Sequence, residues 1–166
     1  SLERYGIIAG QVLLTSGDLE GDETRENAAR AMERLVELRV LPIVNENDTV
    51  ATQEIRFGDN DRLAALVAVL VKADALVLLS DVDALYDMPP AKPGAKRIET
   101  VSADATLDDI EIGGTSTGVG TGGAVTKVGA ARVATEAGVA VLLTSTDNVS
   151  AALAGQAVGT FFEAAV

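Results

Sequence analysis

Residues 59–79 read Asp59-Asn60-Asp61-Arg62-Leu63-Ala64-Ala65-Leu66-Val67-Ala68-Val69-Leu70-Val71-Lys72-Ala73-Asp74-Ala75-Leu76-Val77-Leu78-Leu79. From Asp59 to Ala73 the pattern is apolar nearly all round, which predicts a helix buried on most of its faces. Ala75 to Leu79 follows as a hydrophobic run without alternation, the mark of a strand in a parallel sheet covered on both sides. Upstream, Leu41 to Val44 reads as a buried strand. Residues 24 to 38 place Ala28, Ala31, Met32, Leu35 and Leu38 at helical spacing, and Ile7 to Leu14 is a β-rich run. Val50 to Phe57 alternates imperfectly and suits an exposed hairpin or flap.

Downstream come a Pro-rich surface loop, Met88 to Gly94, and a weakly patterned segment to about residue 112. The Gly/Ser/Thr stretch Gly113 to Gly123 then opens into a helix-forming run, Ala124 to Ala137, closed by Gly138 as a C-cap. A strand over Val139 to Leu143, a short helix around Asp147 to Ala154 and a last strand near Ala157 to Phe162 complete the chain. Such alternation predicts an α/β fold, a mostly parallel sheet with helices on both faces, as one domain over residues 1–166. Ligands of such sheets collect beyond the carboxyl ends of the strands.

Composition removes several chemistries. The 166 residues contain no Cys and no His, so disulfides, thiolate catalysis, sulfur-held metals and histidine acid–base work are excluded. What is left is carboxylates, Lys, hydroxyls, backbone N–H groups and bound Mg²⁺. Phosphoryl transfer needs little else, since it works by positioning and charge neutralisation. A formal charge of −12 argues against nucleic acid or an anionic membrane as partner. A nucleotide is still allowed, because its phosphates can be met locally by Lys, Mg²⁺ and a helix N-terminus. No apolar run is long enough to span a bilayer and no signal pattern opens the sequence, so a cytoplasmic location is expected.

Three groups of residues fall at the predicted strand ends. The first is Asn45-Glu46-Asn47-Asp48 after one strand together with Gly58-Asp59-Asn60-Asp61 at the start of the buried helix. Turns and N-caps favour Asp and Asn and could account for Asp59 alone. Asn45, Asp48, Asn60 and Asp61 together exceed what two caps require and suit an ammonium, a carboxylate or a metal. A calcium loop from Asp59 is excluded, lacking Gly at its sixth position and Glu at its twelfth. The second group, Ser80-Asp81-Val82-Asp83-Ala84-Leu85-Tyr86-Asp87, leaves a buried strand and is either a nucleotide or metal edge or a polar loop exit. The third, Gly120-Thr121-Gly122-Gly123-Ala124-Val125-Thr126-Lys127, is not a Walker A loop. Its glycines permit close backbone approach, and a Lys near the positive end of a helix dipole, where acids are preferred, points to phosphate.

The order Leu41-Pro42-Ile43-Val44-Asn45-Glu46-Asn47-Asp48-Thr49-Val50-Ala51-Thr52, then Glu54-Ile55-Arg56-Phe57-Gly58-Asp59-Asn60-Asp61, then Gly120 to Lys127 and Val158-Gly159-Thr160, resembles the glutamate 5-kinases of the amino acid kinase family. The resemblance covers nearly all of the chain. It implies a three-layer αβα sandwich and ATP-dependent phosphorylation of the γ-carboxylate of L-glutamate with Mg²⁺, the entry step to proline synthesis. By the same resemblance Asn45, Asp48 and Asn60 hold glutamate, with Asp48 toward the ammonium. Asp61 is the catalytic aspartate, and Lys127 stabilises charge on the transferred phosphoryl group. Ser80 and Asp81 are the nucleotide pair, and Thr121, Gly122, Gly123, Ala124, Val125, Thr126 and Lys127 hold the ATP phosphates. No protein metal ligand is implied, and a homo-oligomer is expected.

Departures from the family pattern are specific. Nothing here corresponds to the family's opening strand and Gly-rich loop with a second phosphate lysine. The chain is therefore expected to be the C-terminal part of a kinase domain, with an exposed apolar edge or face and weak or absent turnover by itself. Ala84 stands where the family tends to have Gly, and Arg39 where a helix-ending Gly is usual. A non-catalytic nucleotide-binding or oligomerisation module is the alternative. A sister kinase for another acceptor is disfavoured by Asn45 to Asp48 combined with Asn60-Asp61.

Overall fold

The computed structural model describes residues 2–47, 60–88, 90–105 and 121–165, with the backbone alone at Ser16 and residues 121–124. The chain forms two compact units, Ser1–Val71 and Lys72–Val166.

In the first unit a 3₁₀ turn, Leu2–Tyr5, leads into β1 (Ile8–Leu14), α1 (Ser16–Glu20), α2 (Asp22–Glu37), β2 (Val40–Glu46) and α3 (Asn60–Leu70). β1 and β2 pair in parallel from Ile8↔Val40 to Leu14↔Glu46. Partners in a parallel register share a face, so Gly10, Val12 and Leu14 line up with Pro42, Val44 and Glu46 on one side. Gly10 lies under α2, because a Cβ there would meet Leu35 at 3.6 Å and Val40 at 3.1 Å. Leu14, Leu19 and Leu63 form the buried cluster, with Val12, Ala28, Val44, Leu66, Val67 and Leu70 packed against it.

The helix predicted from Asp59 is α3. From Leu63 to Leu70 every residue is buried or half-buried, as the all-round apolar pattern requires. The strand expected to be buried over Leu41 to Val44 is β2, but it alternates: Leu41 and Ile43 are 47% and 48% exposed. The cause is a two-stranded sheet with helices packed on one side among the described residues, so one side chain in two has no cover. Leu13, on the same face as Leu41 and Ile43, is exposed likewise, and the three make an apolar face of the kind expected from the sequence. The flap expected over Val50 to Phe57 lies outside the described residues.

The second unit contains β3 (Ala75–Ser80), β4 (Thr100–Val101), α4 (Thr121–Glu136), β5 (Ala140–Ser145), α5 (Val149–Leu153) and β6 (Thr160–Phe162). Its sheet has the order β3-β5-β6-β4. β3 and β5 are parallel, as are β4 and β6, while β6 is antiparallel to β5. Val141, Leu143 and Thr144 on β5 are fully buried, and α4, with Val128, Ala130, Ala131 and Ala134 buried, packs on this strand. Small residues on the helix let it approach the sheet closely, which suits a core almost without aromatics. β3 is an edge strand covered on one face: Leu78 is buried, while Val77 and Leu79 on the other face are exposed although the sequence predicts burial.

Local boundaries also differ. α4 begins at Thr121 rather than Ala124, so Gly122 and Gly123 sit in its first turn rather than in a loop. First-turn residues have no i−4 carbonyl to reach, and glycine costs least there. Gly138 adopts φ +85, as a helix-ending glycine should. The last strand is limited to Thr160–Phe162 because Gly159, at φ +71, turns the chain immediately before it.

Candidate functional site

In the first unit the carboxyl ends of β1 and β2 lie side by side, with Leu13 opposite Asn45 and Leu14 opposite Glu46. The pairing continues one step further, since Asn47 donates its N–H to the Leu14 carbonyl at 2.8 Å. Leu14 and Leu63 belong to one buried cluster, which draws the start of α3 to this same end. Asn45, Asn60 and Asp61 therefore gather at one end of the unit. Asn45 and Asn60 are exposed and Asp61 is half-buried. An acid in the first turn of α3 is favoured by the helix dipole by about 0.3–1 kcal/mol. Asp48 lies outside the described residues. A polar turn missed in the sequence adjoins this end: the Asp18 carboxylate accepts both the N–H and the hydroxyl of Thr15 at 2.7 Å. The signal was available, because Thr15-x-x-Asp18 is the spacing of a helix-capping pair.

In the second unit the register ends on Ser80↔Ser145, so the polar exits of β3 and β5 are adjacent. Ser80 is half-buried and its hydroxyl donates to the exposed carboxylate of Asp81 at 3.0 Å. α4 connects to β5 through the tight turn at Ala137 to Val139 and packs on both β5 and β3. A helix so joined to a parallel strand runs back along it, which sets its N-terminus at the carboxyl end of the sheet. Thr121, Gly122, Gly123 and Ala124 form the first turn of that helix. Val125 is exposed, while Thr126 and Lys127 are half-buried. The N–H groups of a helix's first turn, the positive end of its dipole and a nearby Lys are the elements from which anion sites are built.

The segment that leaves Asp81 is held by side chains of the same group. Tyr86 donates to the Asp83 carboxylate at 3.1 and 3.2 Å, and burial, followed by that bond and the nearby Asp83 charge, pushes its phenol above the ordinary value. Tyr86 pairs with Arg97 across an antiparallel bridge. Among the described residues no three acids converge to hold a metal. Ser80 and Asp81 offer neighbouring oxygens, which fits Mg²⁺ brought by nucleotide phosphates, an ion that keeps several waters and takes one or two carboxylates. No helix of the described residues is long and apolar enough to cross a membrane.

A mostly parallel α/β architecture with a helix N-terminus and Lys at the strand ends is the class of fold in which phosphates can be held at the sheet's carboxyl end. The model of the amino acid kinase family matches residues 1–154, and the chain belongs to that family. It is 73% identical over 162 residues to a protein named glutamate 5-kinase from Clavibacter michiganensis subsp. michiganensis, covering 98% of this chain and 62% of that protein. A glutamate 5-kinase from Leifsonia xyli subsp. xyli is 66% identical over 163 residues, covering 98% and 60%. The chain thus spans somewhat less than two thirds of the length of these relatives. That share fixes a family and not an end, and the expectation of a C-terminal part is withdrawn. Among solved structures, isopentenyl phosphate kinase superposes with a TM-score of 0.66 at 19% identity, over 97% of this chain and 61% of that one. Carbamate kinase from Giardia lamblia, bound to AMP-PNP, gives 0.63 at 22%, over 82% and 49%. These two likenesses concern the fold alone.

Proposed function

We propose that the chain takes part in ATP-dependent phosphorylation of the γ-carboxylate of L-glutamate, giving γ-glutamyl phosphate and ADP, the first step of proline biosynthesis. The observation that carries this reading is the 73% identity to a glutamate 5-kinase across 98% of the chain, with both the acceptor and the phosphate motifs inside the matched length. Residues 1–166 would then form one amino acid kinase domain, with the acceptor residues on the first unit and the nucleotide residues on the second.

Asn45 and Asn60 offer amides for the substrate carboxylates and Asp48 a carboxylate for its ammonium. A γ-carboxylate oxygen attacks the γ-phosphorus of ATP as the bond to the ADP oxygen breaks. The first turn of α4 and Lys127 meet the charge that builds on the phosphoryl oxygens, and Asp61 keeps the phosphate-side cations oriented. Mg²⁺, when bound with ATP, supplies further neutralisation. Ser80 and Asp81 hold the nucleotide. A homo-oligomer in the cytoplasm is the working form this reading expects.

Thermal shift with ATP–Mg²⁺, with glutamate and with both, alongside glutamate-dependent ADP release, tests it. Both ligands should raise Tm, and their effects should combine. A shift with ATP and none with glutamate under any condition would instead favour a nucleotide-binding module.

A further inference from the structure

We infer that Thr160 is a positioning residue for the nucleotide edge at Ser80 and Asp81, acting from the opposite end of the second unit's sequence. The inference rests on reading that pair as nucleotide contacts, and it names a residue outside the pair that sets where they stand.

Thr160 is fully buried, and its hydroxyl joins two distant segments. It accepts the Leu85 N–H at 2.9 Å and donates to the Ile98 carbonyl at 2.6 Å. Leu85 and Ile98 are themselves paired, Ile98 donating to the Leu85 carbonyl at 2.9 Å. One hydroxyl thus closes the base of a hairpin whose next rung is Tyr86 against Arg97. Asp87 and Lys96 continue it, with Asp87 N–H to the Lys96 carbonyl at 3.0 Å and Lys96 N–H to the Asp87 carboxylate at 2.8 Å.

The loop that carries Asp81 runs only four residues before it reaches this clamp. Ala84 and Leu85 are buried at 3% and 4% exposure, so the loop is fixed at the clamp and at β3 and spans little chain between. Tyr86 bound to Asp83 stiffens that span further. Beyond Thr160 the β6 ladder takes over: Phe161 donates to the Glu99 carbonyl at 2.9 Å and Glu163 to Val101 at 3.0 Å. Among the described residues the Leu85 N–H and the Ile98 carbonyl both meet the Thr160 hydroxyl rather than a strand backbone. Among the described residues no buried side-chain polar atom lacks a partner. Removing the hydroxyl leaves a buried donor and a part-buried acceptor without this partner, and the cheapest relief is for the loop to move out to water.

The test compares Thr160→Val, which keeps the shape, with Thr160→Ser, which keeps the hydroxyl. Met32→Ala on α2, in the first unit, serves as a purely destabilising control. Thr160→Val should raise the Kd for ATP–Mg²⁺ about tenfold in calorimetry well below Tm. It should also accelerate amide exchange at Leu85 to Asp87. Thr160→Ser should restore both, and Met32→Ala should lower Tm while moving neither. Unchanged exchange at Leu85 to Asp87 in Thr160→Val would overturn the positioning role whatever ATP does. Faster exchange with an unaltered Kd would overturn it as well. If the unsubstituted protein binds no ATP, the nucleotide reading fails and the exchange comparison alone decides whether Thr160 sets the loop.

Discussion

The two units hold their strand ends in different ways. In the second, β5 runs between β3 and β6 with Val141, Leu143 and Thr144 fully buried, and a buried hydroxyl ties the outgoing loop to the last strand. In the first, two parallel strands rest on a cluster of Leu14, Leu19 and Leu63 and leave Leu13, Leu41 and Ile43 substantially exposed. Their polar ends are organised by short-range devices: the Thr15–Asp18 turn and the first turn of α3. Phosphate has one charge pattern to satisfy and suits a rigid cradle of backbone N–H groups. On the proposed function an amino-acid acceptor would be met by individual side chains on exposed positions, which would place its specificity in residue identity rather than in buried scaffold.

The sharpest way to break this contrast is at Gly159. A Cβ there would collide with the Leu143 carbonyl oxygen and approach the Thr144 Cβ at 2.8 Å, at a φ of +71 that disfavours any side chain. The obstacles are backbone and the base of a buried side chain, so little can give way. Gly159→Ala is expected to cost about 3–5 kcal/mol in urea unfolding. A loss below about 1 kcal/mol would mean that β6 tolerates displacement and that the second unit is not rigid there.

The next contrast is chemical. In glutamate-dependent ADP formation, Lys127→Ala is expected to lower kcat on the order of a hundredfold, about 2.7 kcal/mol, because it removes charge stabilisation felt mainly in the transition state. Asp48→Ala is expected to raise the KM for glutamate about tenfold and leave the KM for ATP alone. If the two substitutions gave the same kinetic signature, the division into a phosphate unit and an acceptor unit would have no functional content.

Much of this was legible in the chain. The all-apolar helix and the unalternating strand at residues 59–79 identified an α/β fold because neither element carries a polar side. Gly138 announced a helix end through its conformational freedom. Exposure on β2 and β3 was not legible, since hydrophobic sequence reports what a strand is built to face, while accessibility depends on which neighbours cover it. The role of Thr160 was hidden for a related reason. The Val158-Gly159-Thr160 match marked a position, but two hydrogen bonds spanning 75 and 62 residues come only from the register of the folded sheet. Asn45, Asn60 and Asp61 could be listed together from sequence by their residue types, and their meeting at one end follows from Leu14 and Leu63 sharing a core.

The smallest expected effect concerns the turn that leads from α2 into β2. α2 is capped at Leu38, whose N–H reaches the Arg34 carbonyl at 3.1 Å, and Arg39 follows at φ 56 with its N–H on Val36. This left-handed position just past a helix is where glycine is favoured, because any Cβ is crowded by its own carbonyl. Arg39 is exposed, so its side chain contributes little burial in return. Arg39→Gly relieves the strain but widens the freedom of the unfolded chain, which offsets part of the gain. The net stabilisation should be about 0.5–1 kcal/mol in urea unfolding. Because Val40 begins β2, the gain should appear together with slower amide exchange along β2 and no change along β5. A destabilised Arg39→Gly protein would show that the arginine side chain holds the α2–β2 turn by contacts stronger than the backbone strain it imposes.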